Sequence, residues 1–279
     1  MRRGSNTGAR RLLLAALLAA LALAAAGAAL WTSLPGVGAL ATRTPRTTAL
    51  VEQRRAEARR AGRPYQADLE PVPLDRIAAH LAEAVVLSED AAFFGHSGFD
   101  WREIRSAAEQ NLRAGRTVRG ASTITQQLAK NLFLGTERNY ARKVKEAVLA
   151  LKLEHALSKR RILALYLNAV EWGRGVFGAE AAARHWFGVP ASALDLAQSA
   201  ALAAMLPAPR RAALSPAPPW LARRARKVLG LMRQTGKVED DEYVAAAAEL
   251  ERMLGEVPAS VDAEPPEEED EGDVPAPRP

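Results

Sequence analysis

The chain has no cysteine among its 279 residues. A disulfide framework, a thiolate metal site and a cysteine nucleophile are therefore excluded. Aromatic residues make up only 5%. No stretch alternates apolar and polar residues as a half-buried strand would. No GxGxxG, phosphate-binding Gly-rich loop or HExxH occurs, and His80, His96, His155 and His185 are scattered. Internal repeats are absent. What remains is a chain whose periodicity, wherever it has one, is helical.

Charge is unevenly placed. The net charge is +6. Between residues 262 and 279 eight acids face one base, Arg278, so that tail carries −7 and the remainder +13. A strongly basic body suits a polyanionic partner such as nucleic acid, a membrane surface or a phosphorylated substrate. The tail, rich in Pro, Glu and Asp, is expected to be disordered.

One long apolar run is present. Arg2, Arg3, Arg10 and Arg11 precede Leu12–Trp31, which has no charged residue and is almost entirely Leu and Ala. It is about long enough to cross a bilayer. The arginines place residues 1–11 in the cytoplasm and make 12–31 a single transmembrane anchor. A cleaved signal peptide is the alternative reading, given the small residues Ala24–Ala28. Residues 32–68 read as a linker, with a short basic helix near the membrane surface at about Ala49–Ala61. The folded domain is expected over 69–235, and a C-terminal helix with the acidic tail over 236–279.

Helical spacing begins at Leu74, Ile77, Leu81 and Val85. It carries Glu89 to the edge of that apolar stripe, where a partly desolvated carboxylate could serve as a general base; a solvated Glu past a helix end is the bland alternative. The aromatic-rich loop Phe93–Trp101 follows, with His96 read as structural. Glu103–Arg119, which ends in Arg113, Gly115, Arg116 and Arg119, reads as a mobile basic loop. The densest polar stretch is Gly120–Asn131. Ser122, Thr123, Thr125, Gln126, Gln127, Lys130 and Asn131 crowd hydroxyls, carboxamides and an ammonium into one short run. That mixture suits a sugar plus an anion, although Thr123-x-x-Gln126 alone is also a capping box. A long helix at about Tyr140–Leu157 has one apolar face at Val144, Val148 and Leu151 and a second at Leu149 and Leu153, which predicts a helix buried on both sides. Glu146 shares the second face, and Arg142, one turn earlier, can pair with it. Ser158 reads as an N-cap, Gly173, Gly175 and Gly178 as a turn, and Ser192-x-x-Asp195 as a further capping box. Later helices are expected at about Ala179–Phe187, Trp220–Thr235 and Val238–Leu254.

Four motifs in order, Glu89–Asp100, Gly120–Asn131, Arg142–Glu146 and Ile162–Asn168 followed by Gly173–Gly178, resemble those of the peptidoglycan glycosyltransferases. These enzymes polymerise lipid II. The resemblance covers about Leu74–Pro207. It implies a mainly α, lysozyme-like glycosyltransferase domain behind one transmembrane helix, on the extracytoplasmic side of the cytoplasmic (inner) membrane. It implies Glu89 as the base on the acceptor 4-hydroxyl and Glu146 as a second essential carboxylate. It further implies Lys130, Arg138 and Arg142 as cations on the pyrophosphate, with Ser122, Thr123, Gln126, Gln127 and Asn131 in the substrate-binding segment. Implied partners are lipid II, the growing lipid-linked glycan, the membrane and proteins of cell-wall synthesis or division complexes, with no nucleic acid. A divalent metal (Mg2+ or Mn2+) on the substrate pyrophosphate is implied too, with no protein ligand set for it and no organic cofactor. No Ser-x-x-Lys of a transpeptidase follows Pro207, so the likeness is to the monofunctional branch. A lytic enzyme acting on finished glycan is the main rival, set against by the clustered cations. A non-catalytic membrane scaffold is the second.

Overall fold

The structure is a computed structural model that describes residues 6–116, 120–136 and 139–255. The acidic tail and Arg138, both named above, lie outside these residues. The first helix, α1 (Asn6–Ser33), follows the apolar run and continues beyond it at both ends. A helix of that length spans about 42 Å at 1.5 Å per residue. Its leucines, Leu12 to Leu23, point outward with nothing packed on them. It ends against the body of the protein, where Lys152 donates to the carbonyls of Trp31 (3.0 Å) and Leu34 (2.9 Å). The same ammonium stands over the Trp31 ring.

Residues 32–68 are not a free linker. Val37 and Leu40 are buried, and Arg161 donates to the Leu40 carbonyl at 2.7 Å. Next comes α2 (Ala49–Arg60), capped by Thr48, which buries Leu50 and Val51. The linker reading rested on scattered Pro, Gly, Thr and Arg. It failed because few apolar anchors suffice to seat a short segment on a preformed surface.

The domain proper is helical: α3 (Ala79–Glu89), α4 (Trp101–Ala114), α5 (Ile124–Phe133), α6 (Tyr140–Ala156), α7 (Lys159–Ala169), α8 (Ala179–Phe187), α9 (Leu196–Met205), α10 (Pro219–Gln234) and α11 (Asp240–Leu254). The mainly α expectation holds, but most of the expected mobile loop Glu103–Arg119 falls in helix α4, which Asp100 starts by accepting from the N–H groups of Arg102 and Glu103. Five of these starts have a side-chain cap. Asp100, Thr123, Asn139, Ser158 and Asp195 accept from backbone N–H groups two or three residues on. The cap of α9 is Asp195 with Gln198, not Ser192, which lies in a 3-10 turn. The segment Leu74–Arg76 is likewise 3-10, so α3 begins later than its apolar spacing suggested.

The alanine-rich α9 is the centre. It is buried throughout and packs against α3 and α10. Small side chains let those helices approach closely. Leu81, Val85, Leu128, Leu149, Leu153, Ile162 and Leu165 join it in one continuous core. Trp172 lies fully buried beside it, and its indole N–H donates to Leu202.

Three short strands also occur: β1 (Asp68–Leu69), β2 (Glu171–Gly173) and β3 (Val176–Phe177), in spatial order β1-β3-β2. Strands of two or three residues are too short to show alternation. The turn needs its glycines: Gly178 has φ +84°, and a Cβ there would stand 2.9 Å from the Asn168 carbonyl.

The expectation of two buried faces on α6 is overturned. Leu149 and Leu153 are buried, but Val144 and Leu151 are exposed, as is Tyr140. Helices α5 and α7 cover one side of α6 and leave the other outward, so its second apolar stripe faces away from the core.

Candidate active site

Two carboxylates, a clamp of cations and the start of α5 make the site. Asp90 sets their relative placement. It follows the last residue of α3, and its Oδ2 accepts from the N–H of Ile124 at 3.0 Å, the first residue of α5. Its Oδ1 lies 2.9 Å from His96 Nε2, so His96 is a structural partner, as expected. One buried side chain thus ties the C-terminus of α3 to the N-terminus of α5.

Glu89, the terminal residue of α3, has a side chain only 11% exposed. Both oxygens are occupied. Oε1 accepts from Arg224 of α10 at 2.9 Å, and Oε2 accepts from Gln127 Nε2 at 3.0 Å. The orientation of Gln127 is itself fixed, because its Oε1 accepts from the hydroxyl of Tyr166 at 2.8 Å. Burial, then the nearby Glu89 charge, push the Tyr166 phenol well above its ordinary range. It therefore stays protonated and can only support Gln127 as a donor.

Glu146 sits deeper, with a side chain 3% exposed. Its Oε2 accepts from Arg142 at 2.7 Å and its Oε1 from Lys143. Lys143 also donates to Ser122 at 3.3 Å. A charge this buried needs partners, and α6 supplies both from its preceding turn. The polar stretch therefore reaches both carboxylates, Glu146 through Ser122 and Glu89 through Gln127.

The other members of the stretch fall into two groups. Thr123 and Gln126 form the capping box of α5, and Thr123 also donates to the Gly98 carbonyl at 2.7 Å. Both are buried, as are Thr125, which donates to Glu154, and Asn131. Thr123 and Gln126 hold the helix start in place, and all four side chains are turned inward. Lys130 is half-buried on α5, one turn beyond Gln126 and Gln127.

Two functional residues escaped the sequence. Arg224 lies 135 residues from Glu89 in a helix that reads as merely basic and amphipathic, and no local signal marks it. Its Nε is buried without a hydrogen-bond partner among the described residues. Lys143 could have been found, since it stands three residues before Glu146 on the same helix face.

Comparison with known proteins identifies the family. The profile of the family described as Transglycosylase matches residues 56–233. The "Biosynthetic peptidoglycan transglycosylase" of Nitrosospira multiformis is 50% identical over 161 residues, 58% of this chain and 70% of that protein. The protein of the same name from an Azoarcus species is 55% identical over 161 residues, 58% and 69% of the respective chains. The solved structure of Penicillin-Binding Protein 1A from Haemophilus influenzae is 20% identical with a TM-score of 0.40, covering 66% of this chain and 18% of that one. The family match takes in α3, α5, α6 and α10, and so every side chain that touches Glu89 or Glu146, and more than half of the whole sequence: the chain belongs to the transglycosylase family.

Proposed function

We infer that this chain is a peptidoglycan glycosyltransferase that polymerises lipid II in cell-wall synthesis, with Glu89 as its base. The carrying observation is Glu89 itself: a nearly buried carboxylate at a helix end, held by one cation and one oriented carboxamide. A sugar hydroxyl is a weak nucleophile and needs its proton removed as it attacks. Glu89 takes that proton from the acceptor 4-hydroxyl. The hydroxyl oxygen bonds to the anomeric carbon of the donor from the face opposite the leaving group. The bond from that carbon to the pyrophosphate oxygen breaks, its electron pair leaves with the lipid pyrophosphate, and the anomeric centre inverts.

The leaving diphosphate gains negative charge, so cations placed beforehand lower the barrier. Lys130 and Arg142 fill that role here, with Arg138 assigned to it by its place in the motif. Arg142 is held in position by Glu146, which gives the second carboxylate an organising task. Ser122 and Gln127 are the members of the polar stretch best placed to meet sugar or phosphate. Among the described residues no three His, Asp or Glu side chains gather as metal ligands. The donor set does not fit a resident metal. A divalent ion would arrive on the substrate's own pyrophosphate, and EDTA dialysis followed by Mg2+ or Mn2+ titration tests this.

Helix α1 is apolar and exposed over Arg10–Ser33, compatible with a single-pass membrane anchor. The outward stripe Tyr140, Val144 and Leu151 adds apolar surface on α6. In this reading α1 anchors the chain with the domain on the extracytoplasmic side, where lipid-linked donor and acceptor meet it in one leaflet. The test of the whole proposal is polymerisation of labelled lipid II in detergent by the full chain beside Glu89→Gln. Long glycan from the wild type and none from the variant is the expected pair of results. Equal polymerisation by both would remove Glu89 from the mechanism.

A further inference from the structure

Two charges at the corner between α6 and α7 stand at the wrong ends of their helices. Glu154 lies in the last turn of α6, and Lys159 is the first residue of α7. A helix C-terminus carries partial negative charge and an N-terminus partial positive charge, so neither helix gains from the residue it holds there. The two residues face each other instead. Lys159 donates to Glu154 Oε1 at 2.7 Å, and the Glu154 side chain is only 9% exposed. Neither takes part in the chemistry proposed above.

The same oxygen of Glu154 accepts a second hydrogen bond from another element. Thr125, the second residue of α5, donates to it at 2.5 Å. The aromatic loop that follows α3 is pressed into the same corner. Gly98 has φ +90°, and a Cβ there would stand 3.4 Å from Glu154 Cγ. The Lys159 ammonium lies 4.3 Å from the centroid of the buried Phe93 ring. Glu154 thus draws α5, α7 and the aromatic loop onto one point of α6.

We propose that Glu154 is a positioning residue for the glycosyl transfer: through Thr125 it sets the rotation of α5, and so the aim of Gln127 at Glu89. The proposal rests on Glu89 being the base. Thr125 and Gln127 are two residues apart on α5, or about 200° around its axis, so they point to opposite sides. Glu154 holds one side, and Glu89 with Tyr166 holds the other. Asp90 grips the backbone at Ile124, which fixes where α5 begins. The Thr125 bond fixes which way the helix faces. A charged acceptor makes that bond stronger than a neutral one, and Lys159 keeps the acceptor charged and in place. Without this hold, a small turn of α5 would swing the Gln127 carboxamide off Glu89.

The experiment is polymerisation of labelled lipid II by the full chain in detergent. Thr125→Val keeps the side-chain shape and removes the hydroxyl. It is expected to lower kcat about 10- to 100-fold, the scale of a misaimed catalytic group, with KM within about twofold of wild type. Thr125→Ser returns the hydroxyl and restores most of the loss. Glu154→Gln keeps an acceptor for Thr125 but not its charge, so its loss is smaller; it carries the same comparison if Thr125→Val does not fold. In a Gln127→Ala background, Thr125→Val lowers kcat by less than about twofold more, because the residue it acts through is gone. Wild-type kcat in Thr125→Val, or the same fold loss in both backgrounds, overturns the proposal; the second result is what a merely structural contact gives. A wild type that makes no glycan would defeat the proposed function instead. The placement is then decided without substrate, by the side-chain amide NMR signal of Gln127, assigned by its loss in Gln127→Ala. A signal shifted in Thr125→Val and unshifted in Thr125→Ser supports the hold by Glu154, and one unmoved in Thr125→Val overturns it.

Discussion

Glu89 shares its oxygens between Arg224 on α10 and Gln127 on α5, whereas Glu146 is held by Arg142 and Lys143 of its own helix. The first grip exists only once three separate helices have packed. The second exists as soon as α6 forms. In the proposed reaction the proton acceptor is therefore the carboxylate whose placement depends on tertiary packing, and the second carboxylate is the one placed by its own helix. The contrast makes the Glu89 grip a product of tertiary packing and the Glu146 grip a local one.

The strongest way to test that contrast is Glu89→Gln, which keeps the shape and removes the base. A fall in kcat of roughly 100- to 10,000-fold, with lipid II affinity kept, is expected from loss of a general base. Glu146→Gln should instead loosen Arg142 and Lys143, so KM rises together with the fall in kcat; an unchanged KM would show that Glu146 does not organise the cations. Arg224→Ala comes next, with about 10- to 100-fold lost from kcat/KM, the scale of one hydrogen bond to a charged group. Lysine in its place should restore part of that loss, and a profile identical to wild type would detach α10 from the chemistry. The smallest effect belongs to Tyr166→Phe. It removes one hydrogen bond that fixes Gln127, worth about 1 kcal/mol of stability by denaturant unfolding, and it lowers kcat while folding survives. Unaltered turnover there would mean that Gln127 needs no orientation.

The same contrast explains what the sequence could disclose. Caps are local, so Thr123, Ser158 and the glycine turn at 173–178 were readable from residue type and spacing. The Arg142–Glu146 pair was readable for the same reason. The Arg224–Glu89 pair was not, because its separation of 135 residues leaves no periodic trace. The burial of α6 was misjudged because an apolar stripe looks the same whether it meets a core or the outside. The seating of α2 was missed because Arg54, buried against Glu171, looks in sequence like one more surface arginine. In the polar stretch, chemistry alone could not divide the hydroxyls that hold the backbone from the groups that meet a ligand. The fold divides them, placing Thr123, Thr125 and Gln126 inside and Ser122 outside.

The ammonium of Lys152, which closes the end of α1, sits six residues after Glu146 on the same helix. At 1.5 Å per residue that is about 9 Å along a rigid rod. With α1 held in a bilayer, as proposed above, the second carboxylate would be joined to the hydrocarbon edge by a continuous helix and not by a slack tether. A lipid-linked pyrophosphate floats at a height fixed by the same edge. In the proposed reaction, enzyme and substrate would then both be positioned from that one edge.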